Sequence, residues 1–302
     1  MAQWAAFVGL TGVVCTLLLA LARLSQHVVR DDDADATGSS DAPPSAPDRR
    51  QTDEIPRFVP PESDDTHTAE RPLRADGELA AAGTPGKHDP RTNSAAGDLS
   101  TGTLLANVAL TQGLFGGFLL AGAWYFGIPA RAFGVTDAGL STGLPALAVG
   151  VLLGVTLYVV NEIGAVSADA VGVEHDERLR SMLAPDSAGG WLVLLLVVLP
   201  IIAGVEEFIF RAAVIGATTA GFGTSVWVLA VVSSLAFALG HGAQGRAGVL
   251  VTGSLGFVLA AAFILTGSFL VVFVAHYLVN ALEFVVHELL GIEWAERVGK
   301  NE

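Results

Sequence analysis

Charge is scarce in this chain: Asp, Glu, Lys and Arg make up 15% of its 302 residues, where a soluble domain carries about a quarter. Lysine is scarcer still, with Lys87 and Lys300 the only two. A single cysteine, Cys15, excludes an intrachain disulfide and argues against a cysteine-rich metal site. The formal net charge of −14 gives nucleic-acid binding no support, and no nucleic-acid partner is expected. Apolar residues fill the space instead: 52% of the chain is hydrophobic, in long blocks. The fold class that follows is an all-α, polytopic integral membrane helical bundle.

Acidity is concentrated in one segment. Residues 30–100 hold sixteen Asp/Glu against eight Lys/Arg, which is −8 of the net charge. They are also rich in Pro, Ser and Gly and poor in large apolar residues, so they cannot bury enough surface to offset their ordering entropy. The segment 30–102 is expected to be a disordered, solvated linker. Before it, the uncharged run at 4–22 matches the ~20 residues that cross a bilayer as helix. Ala20-Leu21-Ala22 would suit a cleavage site, but the basic region expected of a signal peptide is missing, so residues 1–29 read as a retained anchor. The Asp-rich, Lys-poor, Ala/Gly/Val-rich balance resembles that of haloarchaeal proteins.

From residue 103 onward apolar blocks recur, with spans expected at about 104–127, 144–163, 190–217, 225–241, 247–266 and 268–289. With the anchor these make about seven transmembrane helices in the cell membrane, two of them within 103–189. Gly, Ala and Ser are abundant in these blocks, as close helix packing in lipid requires. Arg23, Arg30, Arg178, Arg180, Arg246, Arg297 and Lys300 all fall on one side if the N-terminus is outside and the tail, 291–302, is cytoplasmic. Arg131 is the exception.

Ionisable side chains inside such spans cost at least ~2.5–3.5 kcal/mol on insertion scales and are functional candidates by default. Glu206, Glu207 and Arg211 lie within one apolar block. Glu207 and Arg211 are four residues apart on one helical face, acid first, and can neutralise each other. Glu206 points about 100° away and lacks that partner, which leaves it free for chemistry. Phe237 and His241 follow at the end of the next span, one turn apart, with the phenyl ring able to wall the imidazole from water. His276 and Asn280 share a face of the last span, and Glu283 and His287 continue the same line. A polar line on an apolar helix must face protein or a wet cavity. The structural alternative is a packing network between helices.

A carboxylate and a histidine around one water make a general base. A second imidazole and an amide N–H suit a developing oxyanion. Those are the needs of amide hydrolysis. There is no HExxH. Glu206-Glu207-x-x-x-Arg211, Phe237-x-x-x-His241 and His276-x-x-x-Asn280, in this order on successive apolar helices, resemble the CAAX protease and bacteriocin-processing family, which includes the type II CAAX prenyl endopeptidases. The resemblance covers residues 190–290. It implies a glutamate-dependent intramembrane endopeptidase that needs no metal or other cofactor. By that resemblance Glu206 and His241 hold and activate the water, His276 and Asn280 form the oxyanion hole, and Glu207 and Arg211 support the site. The partners implied are membrane lipid and a peptide or protein substrate, a prenylated C-terminus among the candidates. Glu283 and His287 lie outside the family pattern.

Depth poses a problem at ~1.5 Å rise per residue. Entering near Gly190, Glu206 lies roughly 24 Å deep, in tolerable agreement with His276, whereas His241 falls at the inner end of its helix. A helix broken at Pro200 or Gly204, a displaced 225–241 helix, or a different topology would each resolve this. Two other functions remain open: a non-enzymatic membrane scaffold, immunity-type factor or ion or proton pathway of the same fold, and a metalloprotease in which Glu206, His241 and His276 bind zinc.

Overall fold

The computed structural model describes residues 1–38, 101–169, 178–242 and 245–292. The expected linker is outside these over 39–100, as is the expected tail from 293 onward. The described residues form helices and turns, without a strand. Among the described residues the main helices are α1 (Trp4–Gly38), α2 (Thr101–Tyr125), α3 (Leu144–Asp169), α4 (Arg178–Leu183), α5 (Ala188–Phe222), α6 (Val226–Gly240), α7 (Gly245–Thr266) and α8 (Phe269–Leu289). Six contain apolar stretches long enough to cross a bilayer, and α6 is a shorter apolar helix. The protein is a multi-pass membrane protein. Its outward face is apolar, with Leu114, Phe118, Trp124, Leu152 and Leu196 exposed. Lipid is the solvent that such a surface matches.

Helix α5 runs unbroken through Pro200. A proline inside a helix removes a hydrogen bond and pushes its ring against the carbonyl four residues earlier. Here the backbone widens to a π-helix over Leu194–Val198, immediately before the proline, and so makes room for the ring. It widens again over Phe208–Ala217, starting one residue after Glu207. The charged pair therefore sits where the helix changes its winding, a feature common at functional sites.

Two contacts place α8. Gly150 and Gly154 let α3 lie directly against it: a Cβ at Gly154 would come within 2.9 Å of the Ala275 carbonyl oxygen and of Leu278 Cβ. At its start, Ser268 Oγ accepts from the Val271 amide at 3.1 Å and donates to the Ser141 carbonyl at 2.7 Å. The first caps the helix; the second ties it to the short helix Gly139–Thr142 just ahead of α3. On the other side of α5, Phe7 and Val14 of α1 pack with Leu119, Phe133 and Phe208 into a buried cluster.

Helix α6 has 15 residues, or about 22 Å, well short of a ~30 Å hydrocarbon core. Gly223, at φ 66°, ends α5 and turns the chain back. Residues 206 and 241 are then about equally far from this turn. The depth conflict dissolves: α6 stops part-way, with His241 level with the glutamates.

Candidate active site

Four of the expected residues meet at the core of the bundle. Glu207 and Arg211 are fully buried, with no exposed surface. Arg211 Nη1 donates to Glu207 Oε1 at 2.8 Å, which confirms the pairing read from the four-residue spacing. The pair is not self-contained, however. His276 Nδ1 donates to the same oxygen at 2.7 Å. Arg211 Nη2 donates to the backbone carbonyl of Gly256 on α7 at 2.9 Å. A buried ion pair is tolerable when further hydrogen bonds satisfy it, and here they reach to two other helices.

Glu206 stands on the far side of the same imidazole. Its Oε2 lies 3.6 Å from His276 Nε2, beyond a direct hydrogen bond, with its side chain 12% exposed. One histidine is thus held by one glutamate and aimed at its neighbour. The bond to a carboxylate sets its tautomer: Nδ1 carries the proton, so Nε2 accepts in the neutral ring and donates in the imidazolium.

His241 joins through Phe237. The imidazole caps α6, half-buried, and its Nδ1 donates to the Phe237 carbonyl at 2.9 Å. The Phe237 ring lies 4.5 Å from the His241 ring and 5.9 Å from the His276 ring, centroid to centroid. The Arg211 guanidinium carbon sits 4.8 Å from the same ring centre, within cation–π range. Phe237 is therefore a shared wall for three site residues rather than a shield for His241 alone. Asn280 is half-buried one turn beyond His276 on α8.

Two atoms of the pair remain unsatisfied. Glu207 Oε2 and Arg211 Nε are buried without a hydrogen-bond partner. Buried polar atoms of this kind are costly. Gly256 had escaped notice in the sequence, because a backbone carbonyl has no side-chain signature. A Cβ there would come within 3.0 Å of Phe237 Cδ1 and 3.5 Å of Arg211 Nη2.

A second polar cluster lies further along α8. His287 Nε2 is 2.8 Å from Glu162 Oε1 of α3 and 3.7 Å from Glu283 Oε2. Asn161 Nδ2 donates to Glu283 Oε1 at 2.6 Å, and Arg180 of α4 reaches Glu288 at 2.8 Å and Glu283 at 3.4 Å. The polar line read along α8 is therefore two sites in sequence, each facing protein. Glu162, Asn161 and Glu288 drew no attention in the sequence, where they read as ordinary polar residues near span ends.

Residues 188–282 match the family model described as type II CAAX prenyl endopeptidase Rce1-like. This stretch, from the start of α5 into α8, is what the chain shares with the CAAX protease family. It contains every residue of the first cluster and, of the second, none of the three that converge at His287 Nε2. No curated protein and no solved structure matches the chain.

Proposed function

We propose that this chain, similar to the CAAX protease family over residues 188–282, is an intramembrane endopeptidase that hydrolyses a peptide bond with a water held by Glu206 and a histidine, and that the chemistry needs no metal. The observation that carries the reading is the position of His276 between two acids, 2.7 Å from Glu207 on one nitrogen and 3.6 Å from Glu206 on the other. Such an imidazole is oriented by one carboxylate to act beside the other.

In this reading Glu206 takes a proton from the water as its oxygen attacks the scissile carbonyl carbon. His241, level with Glu206 at the end of α6, closes the other side of the water. The oxyanion that forms receives hydrogen bonds from His276 and the Asn280 amide, one turn apart on α8. Because Nδ1 is committed to Glu207, His276 meets the oxyanion through Nε2, which donates when that nitrogen carries a proton. Collapse of the intermediate breaks the C–N bond, and the proton held by Glu206 passes to the leaving amine. Glu207 and Arg211 touch neither water nor substrate; they hold His276.

Metal independence is supported by the donor geometry. Among the described residues, the group whose potential ligand atoms all lie within 4.8 Å of one another is Glu162, Glu283 and His287, not Glu206, His241 and His276. The substrate is a peptide or protein presented in the membrane, and a prenylated C-terminus is the first to test.

The test compares wild type with Glu206→Gln and His241→Ala in liposomes, on a prenylated CAAX peptide. Cleavage by wild type and a loss of at least ~10²-fold in each variant are expected. Equal turnover by all three would refute the roles assigned.

A further inference from the structure

The second cluster carries an inference of its own. His287 Nε2, Glu162 Oε1 and Glu283 Oε2 converge from two helices, and all three atoms fall within 4.8 Å. The separations from the imidazole nitrogen are 2.8 and 3.7 Å. These bracket the roughly 3.3 Å expected between two ligands on a tetrahedral ion with metal–ligand bonds near ~2.0–2.1 Å.

Arg180 makes a 2.8 Å contact to Glu288 and a longer one, 3.4 Å, to Glu283 Oε2, the oxygen that an ion would have to take over. Asn161 holds the other oxygen of Glu283, Oε1, at 2.6 Å, and so turns Oε2 towards the imidazole. Amide and guanidinium contacts of this kind orient ligands in metal sites. Among the described residues, three carboxylates, Glu162, Glu283 and Glu288, gather around the Arg180 guanidinium and the His287 imidazole. The three side chains are 13–19% exposed, which suits an ion entering from water at the end of the bundle.

We propose that Glu162, Glu283 and His287 bind a divalent cation of the zinc class, clamping α3 to α8 at the end opposite Ser268. Two carboxylates and one imidazole make a mixed O/N donor set, which suits zinc better than calcium or magnesium. Three protein ligands leave a fourth position for water. On binding, the proton on His287 Nε2 is lost to solvent or the ring changes tautomer, and the metal takes its place. The site is separate from the Glu206 centre and stands whether or not the protein is a protease.

The experiment is titration of the full chain in detergent, first stripped by chelator, with Zn²⁺ alone. Calorimetry reads stoichiometry, and thermal unfolding reads the clamp. Wild type is expected to bind one Zn²⁺ at this site with a raised Tm. His287→Ala and Glu283→Gln should lose that binding and the Tm rise, while Asn161→Ala, which keeps all three ligands, should weaken affinity by ~10–100-fold. Glu206→Gln and His276→Ala should bind as wild type does. The proposal fails if stripped wild type shows no Tm rise with Zn²⁺, since the cluster is then only a proton-bridged ion pair. It fails equally if Glu206→Gln or His276→Ala abolishes binding, or if His287→Ala and Asn161→Ala both leave it unchanged.

Discussion

His276 and Glu207 share a 2.7 Å hydrogen bond across two helices, on the same carboxylate oxygen that Arg211 engages at 2.8 Å. One oxygen therefore joins the ion pair of α5 to the imidazole of α8. The support residues and the proposed chemistry are coupled through a single atom, and several expectations follow from that coupling.

Arg211→Ala leaves Glu207 as a buried charge with only an imidazole for company. Breaking a buried pair from one side costs about 3–5 kcal/mol. Poor yield or a markedly lowered unfolding midpoint is expected, measured in detergent against wild type. The double variant Glu207→Gln with Arg211→Met removes both charges and should regain much of that stability. It should not regain turnover, because His276 loses its orienting carboxylate. Recovery of both would show that Glu207 has no positioning role.

Glu206→Gln should separate function from folding. The side chain lies at the edge of the cluster and, among the described residues, pairs with nothing closer than 3.6 Å. Its amide replacement is expected to shift the unfolding midpoint little while cutting turnover by ~10²-fold or more. A variant that unfolds as readily as Arg211→Ala would place Glu206 in the packing network instead.

Phe237→Leu removes the ring that stands against Arg211, His241 and His276. Loss of a desolvated cation–π contact is worth ~2 kcal/mol, and the smaller side chain adds a cavity cost. Reduced stability together with reduced turnover is expected, and turnover should fall further than in Phe210→Leu. Phe210 touches the Phe237 ring at 5.2 Å and neither histidine ring. Equal effects on turnover would make Phe237 simple core.

Gly154→Ala tests the seam that seats α8. A Cβ would press on the Ala275 carbonyl, next to His276, at 2.9 Å. Overpacking of this sort costs about 1–3 kcal/mol and would move the imidazole away from Glu206. A lowered unfolding midpoint and a fall in turnover are expected together. Gly164→Ala, at a position open to 4 Å on the same helix, is the control and should change neither.

Much of this architecture is legible without coordinates. The Glu207–Arg211 pair follows from a four-residue spacing, since neighbouring turns of a helix bring such side chains together whatever else surrounds them. The spans follow from the length of apolar blocks, because lipid forces each backbone segment to satisfy its own hydrogen bonds as helix. The helix that carries His241 was expected over 225–241 and is found at Val226–Gly240, but its depth relative to Glu206 was left open by the chain alone. Counting back from the turn at Gly223, rather than forward from Gly190, puts His241 and Glu206 at one level. Nor does a proline in an apolar block announce that the helix will widen around it rather than break.

The sequence by itself determined that this is a multi-pass helical membrane protein with acids, histidines and an amide inside its apolar helices. Composition and local periodicity suffice for that, because burial in lipid acts on each segment separately. Only the tertiary structure decided which partner each polar group takes: His276 on Glu207 rather than free, the Gly256 carbonyl on Arg211, and Glu283 and His287 with Glu162 in a cluster of their own. Those contacts join residues up to 125 positions apart. They depend on helix register and close approach at small residues, which no single stretch of chain encodes.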